Sequence, residues 1–359
     1  MIFVGGEFYN DQTWRTDEVN HFPQTREFNY FLNGGQACLR VIGDYLVAHK
    51  IDKILLPAYL CPTITRTLTE CSLSLEYYHI NEDFSIDLND LAAKAAVQAH
   101  AIYFINYFGF AHSKNEQDYL QDLQKQGRIL VEDNAQAGFS ETTIGDFVFN
   151  SLRKFVPYDG AYLNASCSME RYINAYRGRL NRRLPLIRQY RSGLSRYLFQ
   201  DEGNPEKLDA LFEQAETHYE LDHVVLGDVQ EKASIGHMDW QGIRLARREN
   251  YSYLLNQLNG IPGISPIFPA LQENNIPMGL PIFFNGISRD RVNAFLGDHQ
   301  IGLTIHWEKM HQGPLTSAQK EAIEMSDRIL TLTIDQYTNH TLLDYLLVQL
   351  HKALNGMIL

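Results

Sequence analysis

Between Phe28 and Asn164, short apolar runs alternate with stretches of helical periodicity, and this alternation restricts the fold more than any other feature of the chain. The runs cover residues 53–57, 73–80, 101–106, 128–133, 146–152 and 161–164. Helical spacing marks residues 37–46, 88–97 and 115–125. Units of this kind join through right-handed crossovers, which builds a mostly parallel sheet sandwiched by helices. Several runs are apolar almost throughout, as expected for strands covered on both faces. Ligands of such sheets bind beyond the carboxyl ends of the strands. Chemistry is therefore expected in the residues that follow each strand.

The remainder reads differently. Residues 1–24 are polar and aromatic without periodicity and form an N-terminal arm. Helices and long connections run from Glu170 to about Glu231. A helical pattern at 239–258 is followed by strand patterns at 277–284, 302–307 and 329–334. Ser288 caps a helix that runs through Leu296, and residues 341–354 close the chain as a helix. The expected division is the arm, a large α/β domain at 25–235 and a smaller C-terminal α+β domain at 236–359, which suits a length of 359 residues. A hydrophobic content of 45% with 21% charged residues excludes disordered and fibrous classes. The net charge of −12 argues against nucleic acid or an anionic membrane surface as partner. Four cysteines without a CxxC pair signal neither a zinc site nor a disulfide framework. The start has no basic leader, and no run reaches the roughly 18 apolar residues of a membrane span. A cytoplasmic protein is expected.

Four features stand at successive strand ends. Gly34-Gly35-Gln36-Ala37 opens a helix; a glycine turn there lets backbone N–H groups meet an anion, or is only a turn. Asp133 ends an apolar run within Glu132-Asp133-Asn134-Ala135-Gln136; it can hold a metal, a ribose hydroxyl or a protonated ring nitrogen, or cap a helix. Lys154 follows Ser151-Leu152-Arg153; near a buried strand its amine can be neutral and nucleophilic, while an exposed loop lysine is the plain alternative. Tyr107-Phe108-Gly109 reads as core aromatics and a turn when taken alone. Together, an anion-binding turn, a strand-end carboxylate and a lysine 21 residues later meet the needs of pyridoxal phosphate.

The chain resembles the DegT-type sugar aminotransferases, which are fold-type I, aspartate-aminotransferase-like pyridoxal-phosphate enzymes. The resemblance rests on Asn33-Gly34-Gly35-Gln36-Ala37-Cys38-Leu39, Leu56-Pro57-Ala58-Tyr59-Leu60-Cys61-Pro62-Thr63 and Tyr107-Phe108-Gly109. Val131-Glu132-Asp133-Asn134-Ala135-Gln136-Ala137 and Gly145-Asp146-Phe147 with Ser151-Leu152-Arg153-Lys154 complete it, and weaker echoes reach Leu332. It implies that Lys154 forms the Schiff base and that Asp133 holds the pyridinium nitrogen. Gln136 would lie beside the ring oxygen, Gly35, Gln36 and Ser151 would hold the phosphate, and Tyr59 would stack on the ring. It further implies a homodimer, glutamate as amino donor, and a nucleotide-linked keto-sugar acceptor in cell-surface polysaccharide or secondary-metabolite synthesis. After the lysine the family carries an acidic-Gly-Gly element; here Asp159-Gly160-Ala161 stands slightly closer. The family's asparagine–arginine motif from the neighbouring subunit has no clear copy, and Asn181-Arg182-Arg183 is the nearest stretch.

Other patterns are missing. There is no HExxH, GxGxxG, P-loop or GxSxG, His306 and His311 lack helical metal spacing, and no metal is expected. Eight arginines fall between residues 171 and 196 with no acid among them. They read either as a solvated or interface face, or as a fork for a diphosphate through Arg182 and Arg183. Tyr107 and His306 are further candidates for the substrate pocket. The expected activity is amino transfer. The alternatives are another pyridoxal-phosphate reaction, such as a lyase or an amino-acid/keto-acid transaminase, and a non-catalytic binding protein on the same fold.

Overall fold

The computed structural model describes residues 3–20, 26–97 and 101–358. In chain order the elements are β1 (Val4–Gly5), β2 (Phe28–Leu32), α1 (Gly35–Ala48), β3 (Lys53–Pro57), α2 (Pro62–Glu70), β4 (Ser74–Tyr78), α3 (Leu88–Val97), β5 (Ala101–Ile105), α4 (Lys114–Lys125), β6 (Ile129–Asn134), β7 (Phe147–Asn150) and β8 (Ala161–Ala165). Then come α5 (Glu170–Asn174), α6 (Arg183–Gln200), α7 (Pro205–Leu221), α8 (Val229–Gly236), α9 (Trp240–Leu258), β9 (Ile264–Pro266), β10 (Leu280–Phe284), α10 (Arg289–Asp298), β11 (Ile301–Gly302), α11 (Ser317–Ser326), β12 (Ile329–Leu332) and α12 (His340–Ile358).

Seven strands make the large sheet, in the order β2-β8-β7-β6-β5-β3-β4. Neighbours from β4 to β7 are parallel, and β8 alone runs against the rest. All five residues of β5 are buried, as are Ile54–Pro57 of β3 and Leu130–Asn134 of β6. Such burial needs cover on both faces, which is why these strands read as continuous apolar runs. Helix α1 packs on β2, β7 and β8, α3 on β4 and α4 on β6. The mostly parallel α/β sheet flanked by helices is thus present. A second, antiparallel sheet, β12-β10-β9, packs with α9, α10 and α12 as the smaller α+β part. One hydrophobic core, from Val4 to Leu354, runs through both parts.

Two features differ from the sequence reading. The strand expected over 302–307 stops at Gly302. Its partner is β1, which offers only Val4 and Gly5, and beyond it Thr304 makes a single bridge to Thr331. With no ladder left to follow, the chain turns and brings His306 edge-on to Phe108, with ring centroids 5.4 Å apart. The arm is also tied down: besides β1, Thr16 N donates to the His237 carbonyl and Asn20 N to that of Gly236. Residues 21–24 of the arm lie outside the described residues. Among the described residues no helix is long and apolar enough to cross a membrane.

Candidate active site

Because β2, β3, β5, β6 and β7 run the same way, the chain leaves all five at one edge of the sheet. One cavity opens there. It is lined by Gly35 and Gln36 from the start of α1, Asp133 and Gln136 from the end of β6, and Ser151 and Lys154 after β7. The sequence-predicted residues thus converge although they span 120 positions of the chain. Lys154 sits in a single tight turn, Leu152–Lys154. Leu152 and Phe155, both fully buried, pin this turn into the core on either side, which leaves Arg153 and Lys154 facing the cavity.

The electrostatics are set by burial. Removal from water pulls the Lys154 amine down, with Cys61 and Asp133 opposing and Arg153 assisting. Burial pushes the Asp133 carboxyl up; against it act a hydrogen bond from Tyr103 Oη to Oδ2, one from the Ala135 N–H to Oδ1 (2.7 Å) and the charge of Lys154. Both oxygens of Asp133 are therefore oriented before anything binds. The side-chain carbonyl of Gln136 accepts from the Phe108 N–H at 2.8 Å, and its amide nitrogen has no partner. The amide nitrogen of Gln36 is likewise buried and unpartnered.

The other candidates lie elsewhere. Tyr59 is fully buried and does not line the cavity; its ring packs edge-on against Phe84 and Tyr107, at 4.9 and 5.9 Å between centroids. Cys61, two residues on, lines the cavity instead, because Pro62 opens α2 and leaves Cys61 as its extended N-cap residue. Tyr107 is buried too, its hydroxyl donating to the Tyr59 carbonyl. Arg183 is 2% exposed: its Nε donates to Asp159 at 2.6 Å and its Nη1 to Glu216, while Arg191 reaches Asp159 at 2.8 Å. Burial would raise Asp159, but Arg191 and Arg183 outweigh it and hold the carboxyl well below its usual range. Arg188 pairs with Asp228 and Glu231, and exposed Arg182 with Asp222. Arg182, Arg183, Arg188 and Arg191 are therefore spent on acids from other segments, and Arg182 with Arg183 is not a free fork for a diphosphate.

His306 lines an adjoining cleft that shares Lys154 with the cavity. Burial and the Lys154 charge pull its pKa from 6.5 down to about 3. Between those two values the unfolded chain binds a proton that the folded chain refuses. Stability is then lost as pH falls below 6.5, at up to about 1.4 kcal/mol per unit. From pH 6.5 to 4.5, urea unfolding should show wild type losing about 2 kcal/mol more than His306→Asn. Equal losses would mean that His306 titrates normally.

Among the cavity and cleft residues that the sequence reading did not assign to the site are Tyr103, Arg153, Trp307, Tyr219 and Arg247. Tyr103 was legible: it precedes Ile105, the register partner of Asp133, by two residues and so shares its face. Arg153 adjoins Lys154 and pairs with Glu216 at 3.0 Å beneath the ring of Tyr219, 4.6 Å away. Trp307 places its ring centroid 6.0 Å from Lys154 Nζ. Tyr219 and Arg247 come from remote helices and carried no local signal.

The fold is that of the fold-type I transferases, as found in solved sugar aminotransferases. PseC of Helicobacter pylori, an aminotransferase of pseudaminic acid biosynthesis, matches at TM-score 0.68 with 13% identity over 99% of this chain and 100% of that one. The sugar aminotransferase Spr1654 of Streptococcus pneumoniae in its PMP form matches at 0.66 with 14% identity over 98% and 99%. DesI, solved in the presence of its TDP-sugar product, matches at 0.68 with 14% identity over 93% and 82%. No family model and no curated protein sequence matches the chain.

Proposed function

We propose that the protein is a pyridoxal-phosphate-dependent aminotransferase that moves an amino group from glutamate to a nucleotide-linked keto-sugar. One observation carries this reading: the Lys154 amine, the Asp133 carboxylate and the open start of α1 line a single cavity at the sheet edge. When bound, pyridoxal phosphate supplies an electrophilic aldehyde and an electron-withdrawing ring. The residues present fit it. A Cβ on Gly34 would lie 2.3 Å from Tyr219 Oη, so glycine is what brings the α1 N-terminus up to the cavity. The unpartnered amides of Gln36 and Gln136 are donors that await acceptors.

Backbone N–H groups of Gly35 and Gln36, with the Ser151 hydroxyl, would hold the phosphate at the positive end of the helix. Asp133 would hold the ring nitrogen and Gln136 the ring oxygen. Lys154 would hold the aldehyde through its amine and, once released by the incoming amino acid, would be placed to take the α-proton on Nζ; burial lowers its pKa and so favours the neutral, basic form. Cys61 and Trp307 wall the cavity in place of Tyr59. Support for a nucleotide-linked acceptor comes from DesI and its TDP-sugar product, and not from Arg182 and Arg183, which pair with Asp222 and Asp159. A cytoplasmic homodimer belongs to the same reading. Leu180 and Leu221, 68% and 69% exposed beside the segment that supplies Tyr219, are apolar surface that a second copy would cover.

The test is spectroscopic. Protein loaded with pyridoxal phosphate should show a visible band that glutamate bleaches and 2-oxoglutarate restores. A loaded protein whose band responds to no amino acid would overturn the reading.

A further inference from the structure

The N-terminus of α1 is bare. Its cap residue, Gly34, offers no side chain, and the first turn holds no acid. Gly35 keeps this end close to Ser151, since a Cβ there would lie 3.5 Å from Ser151 Cβ. Tyr219 of α7 comes up to the same end. A Cβ on Gly34 would meet its Oη at 2.3 Å and its Cζ at 3.3 Å. Tyr219 lines the cavity, and its hydroxyl makes no hydrogen bond among the described residues.

This placement is built. Glu216, one turn before Tyr219 on α7, accepts from Arg153 Nη1 at 3.0 Å and from Arg183 Nη1 at 2.5 Å. The same two guanidiniums lie over the Tyr219 ring, 4.6 and 4.9 Å from its centroid. Cations at a phenol ring draw electrons from it and make its O–H a stronger donor to an anion. Burial pushes the Tyr219 pKa up while Arg153 and Arg183 pull against it, so the hydroxyl keeps its proton. Asn181-Arg182-Arg183, the stretch nearest to the family's neighbouring-subunit motif, is committed inside the chain. Asn181 Nδ2 donates to Asn33 Oδ1 at 2.9 Å, Arg182 meets Asp222 at the end of α7, and Arg183 meets Glu216. These three residues tie the start of α1 to the end of α7.

We propose that Tyr219 donates its hydroxyl to the phosphate of pyridoxal phosphate and so closes the phosphate site from within one chain. Gly34 leaves the helix end without a side-chain donor, and α7 supplies it. A tyrosine kept for packing needs its ring but not a free hydroxyl aimed at a bare helix end. The proposal rests on the pyridoxal-phosphate reading of the cavity.

The probes are pyridoxal phosphate and pyridoxal, which lacks the phosphate. Their dissociation constants are read from the visible band on wild type, Tyr219→Phe and Gly34→Ala. Phenylalanine keeps the ring beside Arg153 and Arg183 and removes only the oxygen, whereas the methyl of Gly34→Ala drives that oxygen off the helix end. Tyr219→Phe should bind pyridoxal phosphate about 10- to 100-fold more weakly than wild type and pyridoxal within about threefold. Gly34→Ala should show the same selective loss, and it decides the matter if Tyr219→Phe does not fold. Co-expressed with Lys154→Ala, Tyr219→Phe should not regain the tight site, because every intact lysine keeps the altered tyrosine of its own chain. Equal losses for both ligands make Tyr219 a packing residue and overturn the proposal, as does undiminished affinity for pyridoxal phosphate. Regained tight binding in the co-expressed pair places the hydroxyl in a neighbouring subunit and overturns it too. A wild type without a visible band removes the pyridoxal-phosphate reading itself, whereas a band without the selective loss removes this proposal alone.

Discussion

Lys154→Ala is expected to abolish the visible band of the cofactor-loaded protein and to cut amino transfer by about 10⁴-fold. The loss should be chemical. The turn that carries Lys154 is held by Leu152 and Phe155 in the core, and the Leu152 N–H donates to the Gly160 carbonyl at 2.9 Å. None of these contacts uses the lysine side chain. Thermal unfolding of the variant should therefore match wild type or exceed it, because a half-buried amine with a depressed pKa has been removed from its pocket. In wild type, borohydride reduction followed by mass spectrometry should place the cofactor on Lys154. A label on another lysine, or a variant that still transfers amino groups at a tenth of the native rate, would remove Lys154 from the chemistry.

The second large effect is at Asp133. Asp133→Asn should fold, because asparagine keeps a carbonyl for the Ala135 N–H and can turn its amide toward the oxygen of Tyr103. It should nevertheless bind the cofactor about 1.5–3 kcal/mol more weakly, the worth of a hydrogen bond to a charged group. Turnover should fall further, since a neutral amide cannot keep a ring nitrogen protonated and the ring loses much of its pull on electrons. Tyr103→Phe provides an internal comparison. It leaves the carboxylate but removes one of the two hydrogen bonds that oppose the effect of burial, so its loss should be smaller than that of Asp133→Asn. Near-native turnover of Asp133→Asn would reduce Asp133 to a capping residue at the end of β6.

The sequence alone determined the large sheet, because burial on both faces writes continuous apolar runs into β3, β5 and β6. It also determined that Gly35, Asp133 and Lys154 would meet. In a parallel sheet the chain leaves every strand at the same edge, so residues far apart in sequence become neighbours once strand direction is known. What it could not supply was the direction of individual side chains and the identity of distant partners. Tyr59 and Cys61 stand two residues apart in one motif, and only the packing of Phe84 and Tyr107 decides that the tyrosine is core and the cysteine faces the cavity. Arg183, Arg188 and Arg191 look like part of one basic stretch, because the acids that neutralise them, Asp159, Glu216 and Glu231, lie on other segments. Tyr219 reads like any helical tyrosine until tertiary packing sets its hydroxyl against Gly34. Hydrophobic periodicity is a local property and can be read along the chain. Charge pairing and desolvation depend on which segments meet in three dimensions, and that is fixed only when the sheet, the helices and the arm have packed together.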